Sequence, residues 1–129
     1  MRLSKLSIKN FRNFEAIDIA LSGNIVLLGE NRVGKSNLLF AIRLVLDPTL
    51  ADAARQLKLS DFWDGCDLAL EPQIEVHLDF AEFDNDDAHA ALLTDFRIAT
   101  DPTIARLSYI FRKKPEVVGP PQSGADCEF

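Results

Sequence analysis

Eight consecutive residues, G-E-N-R-V-G-K-S at Gly29 to Ser36, set the terms for everything around them. They satisfy G-x-x-x-x-G-K-[ST] at every specified position, the pattern of a phosphate-binding P-loop. Each residue type has a physical reason. Glycines at 29 and 34 let the backbone curl until successive N–H groups point inward at phosphate oxygens, and a following helix adds its positive N-terminal end. Lys35 has the reach for β- and γ-phosphates, and the Ser36 hydroxyl suits Mg²⁺. The expected cofactors are therefore ATP and Mg²⁺, with Ser36 as the metal ligand. The nucleotide-binding set is Gly29, Asn31, Arg32, Val33, Gly34, Lys35, Ser36 and Asn37. Asn31 contributes its backbone N–H whatever its side chain does, and Arg32 has a solvated surface role as its alternative.

Such a loop belongs between a buried strand and a helix, and the flanking residues supply both. Ile25 to Leu28 is a short continuous apolar run ending directly at Gly29. After Gly34, the residues Leu38, Leu39, Ile42, Val45 and Leu46 recur at helical spacing until Asp47-Pro48 stops them. Upstream, Met1 to Phe11 and Phe14 to Leu21 read as two antiparallel strands, with a turn at Asn10 to Asn13 and another signal at Ser22-Gly23-Asn24. Downstream, a short helix fits Thr49 to Leu57, and Leu59 to Gly65 reads as a loop with two aromatic anchors. Ile74 to Phe80 alternates strictly and predicts a strand covered on one side. Asp86 to Phe96 fits a helix capped by Asp86 or Asp87, and Ala105 to Lys113 alternates again. The sum is an α/β fold, with a hairpin and two further strands around one P-loop strand and helix. Residues 1–115 form the domain; residues 116–129 lack apolar mass and are expected to be a flexible tail or cut end.

The formal net charge is −6, which argues against DNA binding by bulk electrostatics alone. Its distribution is uneven: residues 1–46 carry seven Lys/Arg against three Asp/Glu, so positive charge gathers near the loop. Cys66 and Cys127 have no CxxC partner and are expected to be reduced thiols. No apolar run approaches the roughly 18 residues of a bilayer span, and no secretory signal is readable, so no membrane partner and a cytoplasmic location are expected.

With the loop placed, the opening L-S-I-K-N-F-R-N-F at Leu6 to Phe14 and the run V-L-L-G-E-N-R-V-G-K-S-N-L-L at Val26 to Leu39 resemble the head domain of RecF/SMC-type ATPases of the ATP-binding-cassette (ABC) class. The segments L-S-D-F-W-D-G at Leu59 and I-E-V-H-L-D-F at Ile74 resemble the OLD (overcoming lysogenization defect) family of ATP-dependent endonucleases, which includes phage-defence nucleases of the Gabija type. The resemblance covers roughly residues 1–115. It implies the N-terminal, incomplete lobe of an ABC-type P-loop ATPase head that forms homo-oligomers, with DNA as substrate of a full-length parent carrying a Toprim nuclease. It also brings Arg12 near the nucleotide, where the alternative is a surface arginine. The later cassette motifs would fall beyond residue 129, implying a truncated piece or a shortened reading frame. No segment shows four apolar residues ending in Asp-Glu, so a Walker B strand is missing and hydrolysis by this chain alone is not expected.

Other candidates are weaker. Asp84 to Asp87 fails the calcium-loop pattern at Ala88 and His89, and a solvated helix start fits better. His77 and His89 have no spaced partner and default to structural or surface roles. Phe62 and Trp63 suit packing of a loop more than stacking on a base. Arg112-Lys113-Lys114 could touch a DNA backbone or simply be solvated. Two further readings stay open beside the nuclease: a RecF/SMC-like DNA-repair ATPase head without nuclease, and a non-catalytic module that completes a partner's nucleotide site.

Overall fold

The computed structural model describes residues 1–21 and 32–129, with side chains from residue 34 onward in the second stretch. Among the described residues, five strands form the main sheet in the order β2-β1-β3-β5-β4, every pair antiparallel. They are β1 (Arg2–Phe11), β2 (Phe14–Ala20), β3 (Ile74–Ala81), β4 (Arg97–Ile98) and β5 (Asp101–Lys113). The expected turn at residues 22–24 and strand at residues 25–28 lie outside the described residues.

Alternation in the sequence becomes a two-faced sheet because strand side chains point to opposite sides. On one face Leu6 sits opposite Leu78, which sits opposite Leu107; one step along, Ile8, Val76 and Tyr109 form a second apolar row. Helix α1 (Arg32–Leu46) covers this face across β3 and β5, burying Leu38, Ala41 and Leu44 at three-residue spacing. It ends as its sequence directs. The Asp47 carboxylate accepts hydrogen bonds from the Thr49 N–H (2.9 Å), the Thr49 hydroxyl (2.5 Å) and Arg43 Nε (3.1 Å). Those bonds, the hydroxyl's foremost, hold the carboxyl below its usual range.

The opposite face is polar. Ser7, His77 and Ser108 form one row, and the His77 Nδ1 lies 2.6 Å from the Ser108 hydroxyl. Lys5, Asp79 and Arg106 form the next. Asp79 is buried there because Arg106 lies over it with a two-pronged bond, Nε to Oδ1 at 2.7 Å and Nη2 to Oδ2 at 2.9 Å. A planar guanidinium matches both carboxylate oxygens, so this charge is paired rather than stranded.

Shorter pieces follow local chemistry. α2 (Asp52–Arg55) falls inside the expected second helix. α3 (Asp87–Leu93) starts at Asp86, whose side chain accepts from the N–H groups of Ala88 and His89. β5 begins at Asp101, four residues before the alternation suggested, as the Asp101 carboxylate folds onto Thr103.

Within residues 116–129, expected as a flexible tail or cut end, β6 (Cys127–Glu128) pairs with β5, joining Arg112 to Glu128 and Lys113 to Cys127. Hydrogen bonds from other parts of the chain reach this segment. The Gln56 side-chain amide donates to the carbonyls of Gly124 (2.7 Å) and Cys127 (3.1 Å), and the Lys114 N–H donates to Asp126 (2.9 Å). Cys127 is buried, and the Phe129 ring stacks on Tyr109 at 5.8 Å. A side chain at residue 124 would break this arrangement, since a Cβ there would stand 2.6 Å from the Leu57 carbonyl oxygen and 3.3 Å from the Lys58 Cα. Gly124→Ala is expected to cost about 1–3 kcal/mol by overpacking against backbone, read as a lowered melting temperature.

Candidate nucleotide site

The first turns of α1 carry the described part of the P-loop motif. Gly34 and Lys35 are half-buried, Ser36 is exposed and Asn37 is buried. No acidic residue stands in the first helical turn, so the helix's positive end is left uncompensated by its own sequence. Gly29 and Asn31 lie outside the described residues, as do the side chains of Arg32 and Val33.

Beside this turn stands the β1–β2 connection, and its backbone is unusual. Asn10 and Arg12 both adopt left-handed conformations, at φ 57° and 51°. Asparagine tolerates that region, but arginine adopts it only where surroundings hold it. The surroundings are specific. The Arg12 N–H donates to the Asp61 carbonyl (2.7 Å), its Nε donates to Asp61 Oδ1 (2.9 Å) and its Nη1 donates to Asn37 Oδ1 (2.8 Å). The guanidinium also lies 4.8 Å from the Phe40 ring centre and 5.0 Å from that of Phe11, close enough for cation–π attraction. The Asn37 amide passes the connection on by donating to Asn13 Oδ1 at 2.8 Å.

Three segments distant in sequence thus meet at one cation: the hairpin turn, the start of α1 and the loop at residues 59–63. Sequence reasoning had proposed Arg12 and Asn37 separately as nucleotide contacts. The structure joins them to each other. It also adds Asp61, which no spacing rule marks because its partner lies 49 residues away. The one sequence hint was its place in L-S-D-F-W-D-G. Asp61 is fixed in turn: its Oδ2 accepts from the Lys58 N–H (2.8 Å), closing the short 3₁₀ turn Leu59–Asp61.

Phe62 packs the same loop onto the core, buried and 5.9 Å from the Phe111 ring, and it bridges to Phe11. The Trp63 N–H donates to the Asn10 carbonyl (3.0 Å). His77 is engaged by Ser108 and stands 3.5 Å from Glu75 on the polar sheet face, away from this cluster. Lys113 is drawn into the protein by Glu71 (2.5 Å) and the Gly119 carbonyl (3.2 Å) and Lys114 is half-buried, leaving Arg112 as the exposed cation of the three. Burial pushes both cysteine thiols above their ordinary pKa, which favours their protonated form. Among the described residues no group of three or more His, Cys, Asp or Glu side chains could hold a metal ion, and no helix is long and apolar enough to cross a membrane.

An antiparallel sheet covered by a helix that carries G-K-S in its first turns, together with the P-loop sequence, defines the N-terminal lobe of an ABC-type P-loop ATPase. The chain belongs to the AAA ATPase domain family, whose model matches residues 1–113. It is similar to Endonuclease GajA of Bacillus cereus (strain VD045), 32% identical over 110 residues that make up 85% of this chain and 18% of that protein. It is similar also to the DNA replication and repair protein RecF of Listeria monocytogenes serotype 4b (strain CLIP80459), 35% identical over 80 residues, 60% of this chain and 21% of the relative. A solved structure from work on ATP-driven dimerization and DNA-stimulated activation of SMC ATPases overlays on 94% of this chain and 66% of its own, with 26% identity and a TM-score of 0.48. The chain spans about a fifth of the length of the two curated relatives.

Proposed function

We propose that this chain is the Mg²⁺–ATP-binding N-terminal segment of an OLD-type ATP-dependent DNA endonuclease. The observation that carries the reading is the likeness to an endonuclease over 110 residues, running through the whole intact G-E-N-R-V-G-K-S loop. Backbone N–H groups from Gly29 to Gly34 would line the phosphates, with Asn31, Arg32 and Val33 contributing main chain. Lys35 would supply charge, and the exposed Ser36 hydroxyl would hold the metal. The half-buried Lys35, the open Ser36 and a helix start without acids suit a magnesium-bound polyphosphate. Bound magnesium neutralises phosphate charge; these residues bind and orient it. Asn37 and Arg12 flank the site, and their mutual bond makes them its wall. Assembly through the head into a homo-oligomer, DNA as the parent's substrate and a cytoplasmic setting belong to the same reading.

The likeness to RecF supports a second reading, a DNA-repair ATPase head without nuclease. A third reading is a module completing a partner's site. The reading frame beyond the Phe129 codon separates them. An Asp-Glu after an apolar strand followed by a Toprim core is expected; a cassette half without Toprim would favour the repair ATPase, and a stop codon the module.

A further inference from the structure

The Arg12 cluster invites a sharper statement. We infer that Asp61 is a positioning residue for the nucleotide site: it locks Arg12 in its left-handed conformation and, through the Arg12 bond to Asn37, sets the first turn of α1 on which Lys35 and Ser36 stand. This rests on the nucleotide-site reading above and assigns that site a control point outside the P-loop.

Asp61 grips Arg12 twice, by main chain and by side chain, so turn and guanidinium move with the loop. The ion pair is partly shielded, with side-chain exposures of 32% for Arg12 and 15% for Asp61, so screening by water is incomplete. Asn37 is only 8% exposed, and its amide oxygen accepts a hydrogen bond from Arg12 while its amide nitrogen donates one to Asn13. A buried amide so engaged at both ends fixes its helical turn. Ser36 is its chain neighbour, and a misplacement of about 1 Å at a positioned group can cost on the order of 100-fold in function. Asp61 itself is held by the Lys58 N–H and by its neighbour Phe62 in the core, so the loop is a firm base for the lock.

Asp61→Asn tests this with little disturbance, because the amide oxygen can still accept from Lys58 while the charge that holds Arg12 is lost. Binding of Mg²⁺–ATP to the 129-residue chain is measured by calorimetry at 20 °C, beside Arg12→Gln and the double variant, with circular dichroism reporting the folded state. We expect a tenfold or greater loss of affinity in Asp61→Asn and no further loss when Arg12→Gln already carries the change. A purely structural role would lower the melting point without this coupling. Unchanged affinity in a folded Asp61→Asn, or fully additive losses, overturns the positioning role alone. Failure of the folded wild-type chain to bind overturns the nucleotide-site reading and the positioning role together. Should Asp61→Asn not fold, Arg12→Lys, which keeps the charge but loses the fork, is expected to weaken binding tenfold, and unchanged affinity there overturns the inference.

Discussion

Phe111→Ala is expected to destabilise the chain by about 3–5 kcal/mol, a large share of the roughly 5–15 kcal/mol typical of a whole domain. Phe111 has no exposed surface, pairs across the sheet with Ile74 and touches the Phe62 ring. Truncation leaves a hole where strand β5, strand β3 and the loop at residues 59–63 meet, and a sheet held in register by its neighbours cannot collapse to fill it. Denaturant or thermal unfolding reads the loss. Leu70→Ala serves as the contrast: its side chain is 80% exposed, and a change within about 0.5 kcal/mol is expected. A loss under about 1 kcal/mol at Phe111 would mean that the core lies elsewhere.

Lys35→Ala is expected to weaken Mg²⁺–ATP binding by about 100-fold or more, from the 2–5 kcal/mol lost when one partner of a desolvated charge pair is truncated. Lys35 is half-buried in the first turn of α1. Alanine is a better helix former than lysine, so α1 should persist and the defect should be in binding. Displacement of a fluorescent ATP analogue reads the difference. A loss of threefold or less would place the phosphates away from this lysine.

The strands were readable because their side chains alternate, and alternation is imposed directly by the pleat. Ile74 to Phe80 shows it best: every second residue is buried, and only Asp79 breaks the pattern, because a partner from β5 covers it. Helix α1 was readable from apolar spacing and from Asp47-Pro48 at its end. What escaped were features made by pairing across distance. β6 has two residues and little apolar mass; its place depends on the Gln56 amide and on carbonyls that no local pattern advertises. Asp61 escaped for the same reason. A carboxylate in a loop looks solvated until the arginine from another segment is brought to it by the fold.

The site divided along the same line. Glycine, lysine and serine at fixed offsets announce phosphate chemistry because one short loop supplies all of it. The cluster at the start of α1 is assembled from Arg12, Asn37 and Asp61, whose relation exists only once the sheet has formed. Arg12 was proposed as a nucleotide contact; the structure gives it two protein partners first, and those partners define where its guanidinium stands.

The most direct test of the account is calorimetric titration of Mg²⁺–ATP into the folded 129-residue chain. Saturable binding at one site, abolished or strongly weakened by Lys35→Ala, is the predicted result. A chain that folds, melts cooperatively and takes up no nucleotide would contradict the claim that these residues form a phosphate site of their own.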